Sequence, residues 1–305
     1  MLLMNSLQNW IEYKFGSGSS IRLAKGSYQK QCFIIESPTV RRYLWLDMNS
    51  EGKKICRQLN TISLLQQNNI PVPEVIEQGS LVLKNKKIEY ILFSDLNGYS
   101  LGLVQDNIPK KQLNQLMFKM GSVLGSIHSI KVADKYGYMD NVIHEKWDHV
   151  LEVNLYLWLN SLSKYVNSLD LYHIEDYFQN KLTKLPVNRP VLVHGDYYPN
   201  NIIVSKNNDE WEIKGVIDFE WSLIGQAEYD FRVMEQFIFS NSEMRFLFYD
   251  GYKGHVSLNA ISTYVLLYRL ELLAISTMQL QKDAKELTKE VHSLLRSMQN
   301  STTYN

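Results

Sequence analysis

Three oxygen-bearing side chains suggest a chemistry before any element is assigned. The stretch His194-Gly195-Asp196-Tyr197-Tyr198-Pro199-Asn200-Asn201 carries an aspartate five residues before an asparagine. The stretch Val216-Ile217-Asp218-Phe219-Glu220-Trp221 carries a second aspartate behind an apolar run. Carboxylate and amide oxygens suit a hard cation such as Mg2+, which takes few protein ligands and fills its shell with phosphate oxygens and water. An aspartate not needed by the metal can accept or orient a hydroxyl proton. One such group to aim an acceptor, with an Asn and an Asp for the metal, is the set of parts that phosphoryl transfer requires.

The elements around these residues must bring them together. Val191–Val193 and Ile202–Ser205 read as buried strands on either side of a polar loop, and Trp211–Ile217 reads as the next strand. Residues 205–210 form a turn-rich cluster. Antiparallel pairing about a turn near Asp209 sets position 201 across from about 217 or 218. Asn201 and Asp218 then leave the hairpin at the same end, beside the loop that holds Asp196.

The rest of the chain supplies two contrasting halves. The first hundred residues are β-rich, with two strands around a turn at Lys25-Gly26-Ser27 and a third over 41–48. A helix over 53–67 has Ile55, Leu59, Ile62 and Leu65 on one face, and Pro71 and Pro73 end it. A strand over 87–94 runs into a loop at Asn97-Gly98. From Lys110 the pattern is mainly helical, over 110–130, 144–166, 171–182 and beyond Ala227. This predicts an α+β fold of two lobes with a cleft between them: a small β-rich N-lobe, residues 1–96, and a larger, mainly helical C-lobe, residues 97–305.

Composition narrows the function classes. The chain has 305 residues, with 32 basic and 32 acidic side chains, and this balance argues against a nucleic-acid binder. Residues 1–100 carry 12 basic and 8 acidic groups, and the remainder 20 and 24, a weak polarity that suits an anionic ligand on one side and a cationic one on the other. Cys32 and Cys56 read as buried thiols, neither a disulfide nor a metal pair, and no Cys/His spacing resembles a zinc site. The N-terminus lacks a signal-peptide pattern, and the most apolar segment, 265–278, carries Arg269 and Glu271, which argues against a membrane span. The expectation is a soluble, cytoplasmic protein with no nucleic-acid or membrane partner.

With these residues in view the chain resembles the aminoglycoside phosphotransferase family, relatives of protein kinases in fold. His194 to Asn201 matches the family's His-Gly-Asp-x-x-x-x-Asn loop, and Val216 to Trp221 matches its strand-ending metal aspartate. Asp230 matches a further aspartate twelve residues on, residues 70–73 the link between helix and strand, and Leu92 to Gly98 the hinge between lobes. The ordered set spans roughly residues 20–275. The stretch Ile217 to Ser222 also resembles choline and ethanolamine kinases.

The resemblance implies a protein-kinase-like fold and an enzyme that moves the γ-phosphate of ATP or GTP, with Mg2+, to a hydroxyl of a small molecule. It implies that Asp196 is the catalytic base or hydroxyl-orienting group, and that Asn201 and Asp218 are metal ligands. It also implies that the backbone of Ser94 to Leu96 meets the nucleotide base, that Lys25, Gly26 and Ser27 cover the phosphates, and that Glu220 reaches the metal or a cationic substrate. His194 reads as a brace for the loop and Asp230 as a tie to the next helix. Tyr197 and Tyr198 read as either acceptor wall or shield for the loop, and Trp221 as core or as part of a cation–π wall for an amine. Trp147, Tyr156 and Trp158 read as core, and His128 as a packing residue. The acceptor is expected to be polar or cationic. An aminoglycoside-type antibiotic leads, a choline-type or sugar metabolite is the alternative, and a non-catalytic pseudokinase-like binding module is the reading from another class.

One family feature is missing. The family places a Lys or Arg on the third strand, paired with a Glu on the following helix, to hold the nucleotide phosphates. Here Tyr43 to Met48 has no basic residue and Gln58 stands where the Glu is expected. Arg42, Lys25 and Lys53 are the candidates to substitute.

Overall fold

The computed structural model describes residues 2–24, 32–48, 52–83, 86–186, 188–239, 242–278 and 283–302. The N-terminal part builds α1 (Leu2–Phe15), β1 (Ser20–Leu23), β2 (Cys32–Glu36), β3 (Arg41–Asp47), α2 (Lys53–Gln67), β4 (Val75–Leu83) and β5 (Lys86–Ser94). Its five strands form one antiparallel sheet in the order β1-β2-β3-β5-β4. Strand alternation divides β3 between two cores. Leu44 and Leu46 pack with Leu7 and Ile11 of α1. Trp45 packs with Ile55, Ile62 and Leu65 of α2.

Two of these elements escape a reading of the sequence. Strand β4 is an edge strand, mostly exposed and interrupted by Gly79, so it lacks the apolar alternation that marks a half-buried strand. Helix α1 buries only a narrow stripe, Leu7 and Ile11.

The remaining chain builds β6 (Tyr99–Ser100), α3 (Leu101–Val104), α4 (Lys110–Ser129), β7 (Gly137–Tyr138), α5 (Trp147–Leu162), α6 (Ser168–Leu182), β8 (Val191–Val193), β9 (Ile202–Asn207), β10 (Glu210–Val216) and β11 (Leu223–Gly225). Helices α7 (Phe231–Phe237), α8 (Ser242–Tyr252), α9 (Leu258–Met278) and α10 (Ala284–Thr302) follow. Two small sheets, β10-β9-β6 and β7-β11-β8, flank the loop that starts at His194. Helix α5 starts at Trp147, not 144, because His144 exchanges backbone hydrogen bonds with Tyr136 at 2.8 and 2.9 Å.

Helices α4 and α8 cross with almost no gap. A Cβ on Gly121 would stand 1.9 Å from the Phe248 carbonyl oxygen, so glycine is required there. Trp147 and Trp158 are core residues as expected, whereas Tyr156 is 69% exposed on the outer face of α5. Helix α9 is long and apolar enough to cross a membrane by length and composition. Tyr264, Leu267, Leu270 and Ala274 bury it in the helical core, and Arg269 bonds Ser293 and Ser297 of α10.

Candidate functional site

The loop after β8 is held by buried charge. The main-chain N–H groups of His194 and Gly195 donate to Asp230 Oδ2 and Oδ1, each at 2.8 Å. His128 Nε2 lies 3.0 Å from Asp230 Oδ2, and its Nδ1 meets the Tyr252 hydroxyl at 2.9 Å. His128 is therefore part of the support and does more than pack. Burial pushes the Asp230 carboxyl up, yet the hydrogen bond and charge of His128 and the His194 N–H hold it below its usual range. Arg232, fully inside, donates to the Gly195 carbonyl at 2.6 Å and stacks on Tyr229 at 3.6 Å. Gly195 has φ +87°, and a Cβ on it would stand 2.3 Å from the Trp221 carbonyl oxygen. Only glycine allows both that turn and that approach.

His194 joins this loop to the strand that ends at Asp218. Its Nδ1 accepts from the Asp196 N–H at 3.2 Å, so its Nε2 carries the proton and donates to the Ile217 carbonyl at 3.0 Å. Burial lowers its pKa, so the ring is neutral near pH 7.

Asn201 joins the other two residues. Val216 pairs with Ile202, and the Ile217 N–H donates to the Asn201 carbonyl at 3.0 Å, so the hairpin sets position 201 against 217, next to Asp218. The Asn201 Nδ2 donates to the Asp196 main-chain oxygen at 2.8 Å and to Asp196 Oδ2 at 3.0 Å. Its amide oxygen is the atom left for a cation. Asp218 adopts φ +68°, an uncommon conformation for a non-glycine residue, and its Oδ1 is buried without a hydrogen bond.

The electrostatics match that geometry. Burial raises the Asp196 carboxyl to about 7, against the pull of Arg232 and Asn201 and with help from Glu271 and Glu220. Burial also raises Asp218, as do Glu220 and Asp196, while Lys54 opposes. Such a crowd of carboxylates is costly unless a cation joins it. The orphaned Asp218 oxygen and the Asn201 amide oxygen therefore fit a hard divalent ion. Among the described residues no group of three His, Cys, Asp or Glu side chains is placed to hold a metal ion.

Helix α2 faces this loop with polar side chains that sequence reasoning missed. Lys54 Nζ lies 2.7 Å from Glu220 Oε2 and 4.4 Å from the centre of the Trp221 ring. Arg57 pairs with Asp140, stacks on Tyr138 at 3.9 Å and reaches the Glu220 carbonyl at 3.5 Å. The Thr61 and Ser222 hydroxyls meet at 2.5 Å. Lys54, Arg57 and Thr61 follow an i, i+3, i+7 spacing, so a second, polar stripe was present in the sequence beside the apolar one. Gln58, 2% exposed, shares that side of the helix and its Nε2 has no hydrogen-bond partner among the described residues.

The other expected residues lie as follows. Lys25, Gly26 and Ser27 fall outside the described residues. The Ser94 N–H donates to the Glu74 carbonyl and its hydroxyl accepts from the Glu74 N–H, both at 2.9 Å, so that amide is already engaged. Leu96 is half-buried against Gly215 and the Pro71 segment. Tyr198 is half-buried, and burial, then Asp196, raises its hydroxyl to about 12. Tyr197 is fully buried and donates to the Met120 carbonyl at 2.8 Å, so it belongs to the core and not to an acceptor wall. Tyr268 and Glu271 of α9, unforeseen from sequence, stand close enough to Asp196 to interact with it electrostatically. A Glu inside an apolar helix was the signal for them.

Residues 41–247 match the phosphotransferase enzyme family. No curated protein matches the chain. Among solved structures, aminoglycoside phosphotransferase APH(4)-Ia in a ternary complex with AMP-PNP and hygromycin B is similar at 17% identity and a TM-score of 0.69, over 96% of this chain and 98% of that one. A GDP complex of aminoglycoside 2'-phosphotransferase-IIIa is similar at 15% identity and 0.69, over 100% and 99%. Spectinomycin phosphotransferase APH(9)-Ia with ADP and spectinomycin is similar at 16% and 0.58, over 99% and 94%. These likenesses show the fold, a β-sheet lobe joined to a helical lobe.

Proposed function

Because the chain belongs to the phosphotransferase enzyme family, we propose that it moves the γ-phosphate of ATP or GTP, bound with Mg2+, to a hydroxyl of an amine-bearing small molecule. The observation that carries this reading is the bonded set Asp196, Asn201 and Asp218. One side chain, Asn201, holds the Asp196 carboxylate, and the same residue's main chain pairs beside Asp218.

Each residue has a defined task. Asn201 occupies Asp196 Oδ2, which leaves Oδ1 to receive the hydrogen bond, and then the proton, of the acceptor hydroxyl. A carboxyl near pH 7 in its affinity for protons is matched to that task. Arg232, behind the loop, favours its charged form. Asn201 and Asp218 would hold the Mg2+, which bridges phosphate oxygens and offsets their charge when bound. Asp230 and His194 keep the loop rigid, so that positioning is not paid for at each turnover.

The acceptor class follows from the walls. Glu220 and Glu271 bring negative charge towards Asp196, and Tyr198 and Tyr268 add aromatic faces that suit an ammonium group. The solved relatives bound to hygromycin B and spectinomycin support an aminoglycoside-type antibiotic as that acceptor. Residues 1–96 are assigned to the nucleotide, with the Leu96 backbone as a contact, and residues 97–305 to the acceptor. A cytoplasmic location suits an enzyme that uses ATP or GTP. The second reading, a non-catalytic binding module, is favoured by one observation, the absence of a basic residue on β3 after Arg42.

The test is phosphate transfer from ATP and GTP with Mg2+ to a panel of aminoglycosides, spectinomycin, choline and sugars. Transfer to an aminocyclitol with none to choline supports the reading. Transfer to choline or a sugar alone would replace the acceptor class. Absence of both transfer and nucleotide binding would overturn the enzyme.

A further inference from the structure

The strand that should carry a phosphate-binding cation does not. Tyr43 and Trp45 are the β3 side chains packed with the α2 core, and Leu44 and Leu46 fill the opposite side. Arg42 shares the face of Leu44 and Leu46 by alternation. Lys53 is exposed. Arg41 lies 3.5 Å from Asp95 at the start of the strand. None of these reaches the Asp218 loop.

Lys54 does. One residue after Lys53, the 100° helical step turns it inward, and its side chain is 14% exposed. It sits between Glu220, at 2.7 Å, and the Trp221 ring. Among the described residues it is the cation that acts favourably on Asp218. Arg57, one turn along, is fixed by three other contacts, to Asp140, Tyr138 and the Glu220 carbonyl. Lys54 meets Glu220 and the Trp221 ring, both in the segment that follows Asp218.

We propose that Lys54 is the residue that holds the nucleotide's phosphates, so that the cation comes from helix α2 in place of strand β3, with Glu220 as its resting partner. The assignment rests on the phosphotransferase reading above. Its physics is an exchange of anions. A half-buried Lys–Glu pair contributes little net stability, because desolvation offsets attraction. Such a pair can hand its cation to a triphosphate, whose charge is larger, at small cost. Phosphate oxygens that share a cation with Asp218 would arrive next to the Lys54 ammonium, a compact charge on a flexible stem. The missing Glu on α2 follows from the same change: with the cation on the helix itself, a Glu at position 58 would compete with the phosphates. Gln58 supplies a neutral buried donor one turn away instead.

The experiment is calorimetric binding of adenosine, ADP and ATP, or the guanosine series if that base is preferred, to the parent protein, Lys54→Met, Lys54→Gln and Glu220→Gln. Titrations are run with Mg2+ and again in EDTA, which removes metal coordination by Glu220 as a confounder. In the parent, ADP and ATP bind more tightly than the nucleoside. The two Lys54 variants should lose about 10- to 100-fold in ATP affinity, as expected for one charge-assisted contact, with nucleoside affinity unchanged. Glu220→Gln should bind ATP in EDTA at least as tightly as the parent, because it releases Lys54. Parent-like ATP binding by either Lys54 variant overturns the assignment. So does a Glu220→Gln protein that loses ATP affinity in EDTA, since a merely structural tie predicts equal loss from either end. If the Lys54 variants do not fold, the Glu220→Gln arm decides alone. If the parent binds no nucleotide, the phosphotransferase reading itself has failed.

Discussion

Asn201 donates through one side-chain nitrogen to both the main chain and the carboxylate of Asp196, at 2.8 and 3.0 Å. The residue assigned to the metal is therefore also the one that aims the residue assigned to the acceptor. Asn201→Ala should lower kcat by about 10- to 100-fold, the usual effect of losing a supporting hydrogen bond with its ligand, and should raise the Mg2+ concentration needed for half-maximal rate. Asn201→Asp should restore the metal requirement but not kcat, because a carboxylate cannot donate to Asp196. Steady-state kinetics against Mg2+ separate the two effects.

Asp196 makes the metal-free protein sensitive to pH. Its carboxyl is raised in the folded chain to about 7, first by burial, from an ordinary value near 4. A raised acid stabilises the fold below the unfolded value, and that contribution is lost as pH climbs through about 7. Asp196→Asn removes the charge, so it should melt above the parent at pH 8 and match it at pH 4, while phosphate transfer is abolished. Thermal melts across that range, in EDTA, check the sign.

Asp230 works in the opposite direction. Its carboxyl is depressed in the folded chain, so the stability it contributes is full above about 4 and is lost as the medium becomes more acidic. Asp230→Ala should destabilise by about 3 kcal/mol or more, since two buried N–H groups lose their acceptor. Urea unfolding at pH 7 should show most of that loss, and at pH 3 much less of it.

Gly195→Ala tests the turn itself. The new Cβ meets the Trp221 carbonyl and the residue must hold φ +87°. A cost of about 1–3 kcal/mol for the conformation alone is expected, with activity falling further than stability because Asp196 is displaced. Parallel melting and turnover measurements reveal that difference.

Much of the site was legible because its residues lie in one short hairpin. The turn at Asn208-Asp209 starts the register, and a β-bulge between Ile213 and Gly215 shifts it by one residue, so that Asn201 stands against Ile217. Spacing brought Asp196, Asn201 and Asp218 to one end of the hairpin, and the bulge that fixes the final residue of the register was not legible in it. The helix over 53–67 was equally clear, but only on its apolar face. Its polar stripe carried no pattern that distinguishes a solvated face from a docked one. Edge strand β4 and helix α1 were unread for the related reason that they bury little.

The amino-acid sequence by itself determined the hairpin that gathers Asp196, Asn201 and Asp218 and the split into a β-rich and a mainly helical part, because strand alternation, turn chemistry and helical periodicity act over a few residues. The tertiary structure alone decided what surrounds those parts. It brought Lys54 to Glu220 across the interval between α2 and the Asp218 loop, set Arg232 beneath Gly195, and pointed Asp230 at two backbone N–H groups. Those contacts depend on how whole helices pack, and a charged side chain shows its partner only once burial has removed water as the alternative.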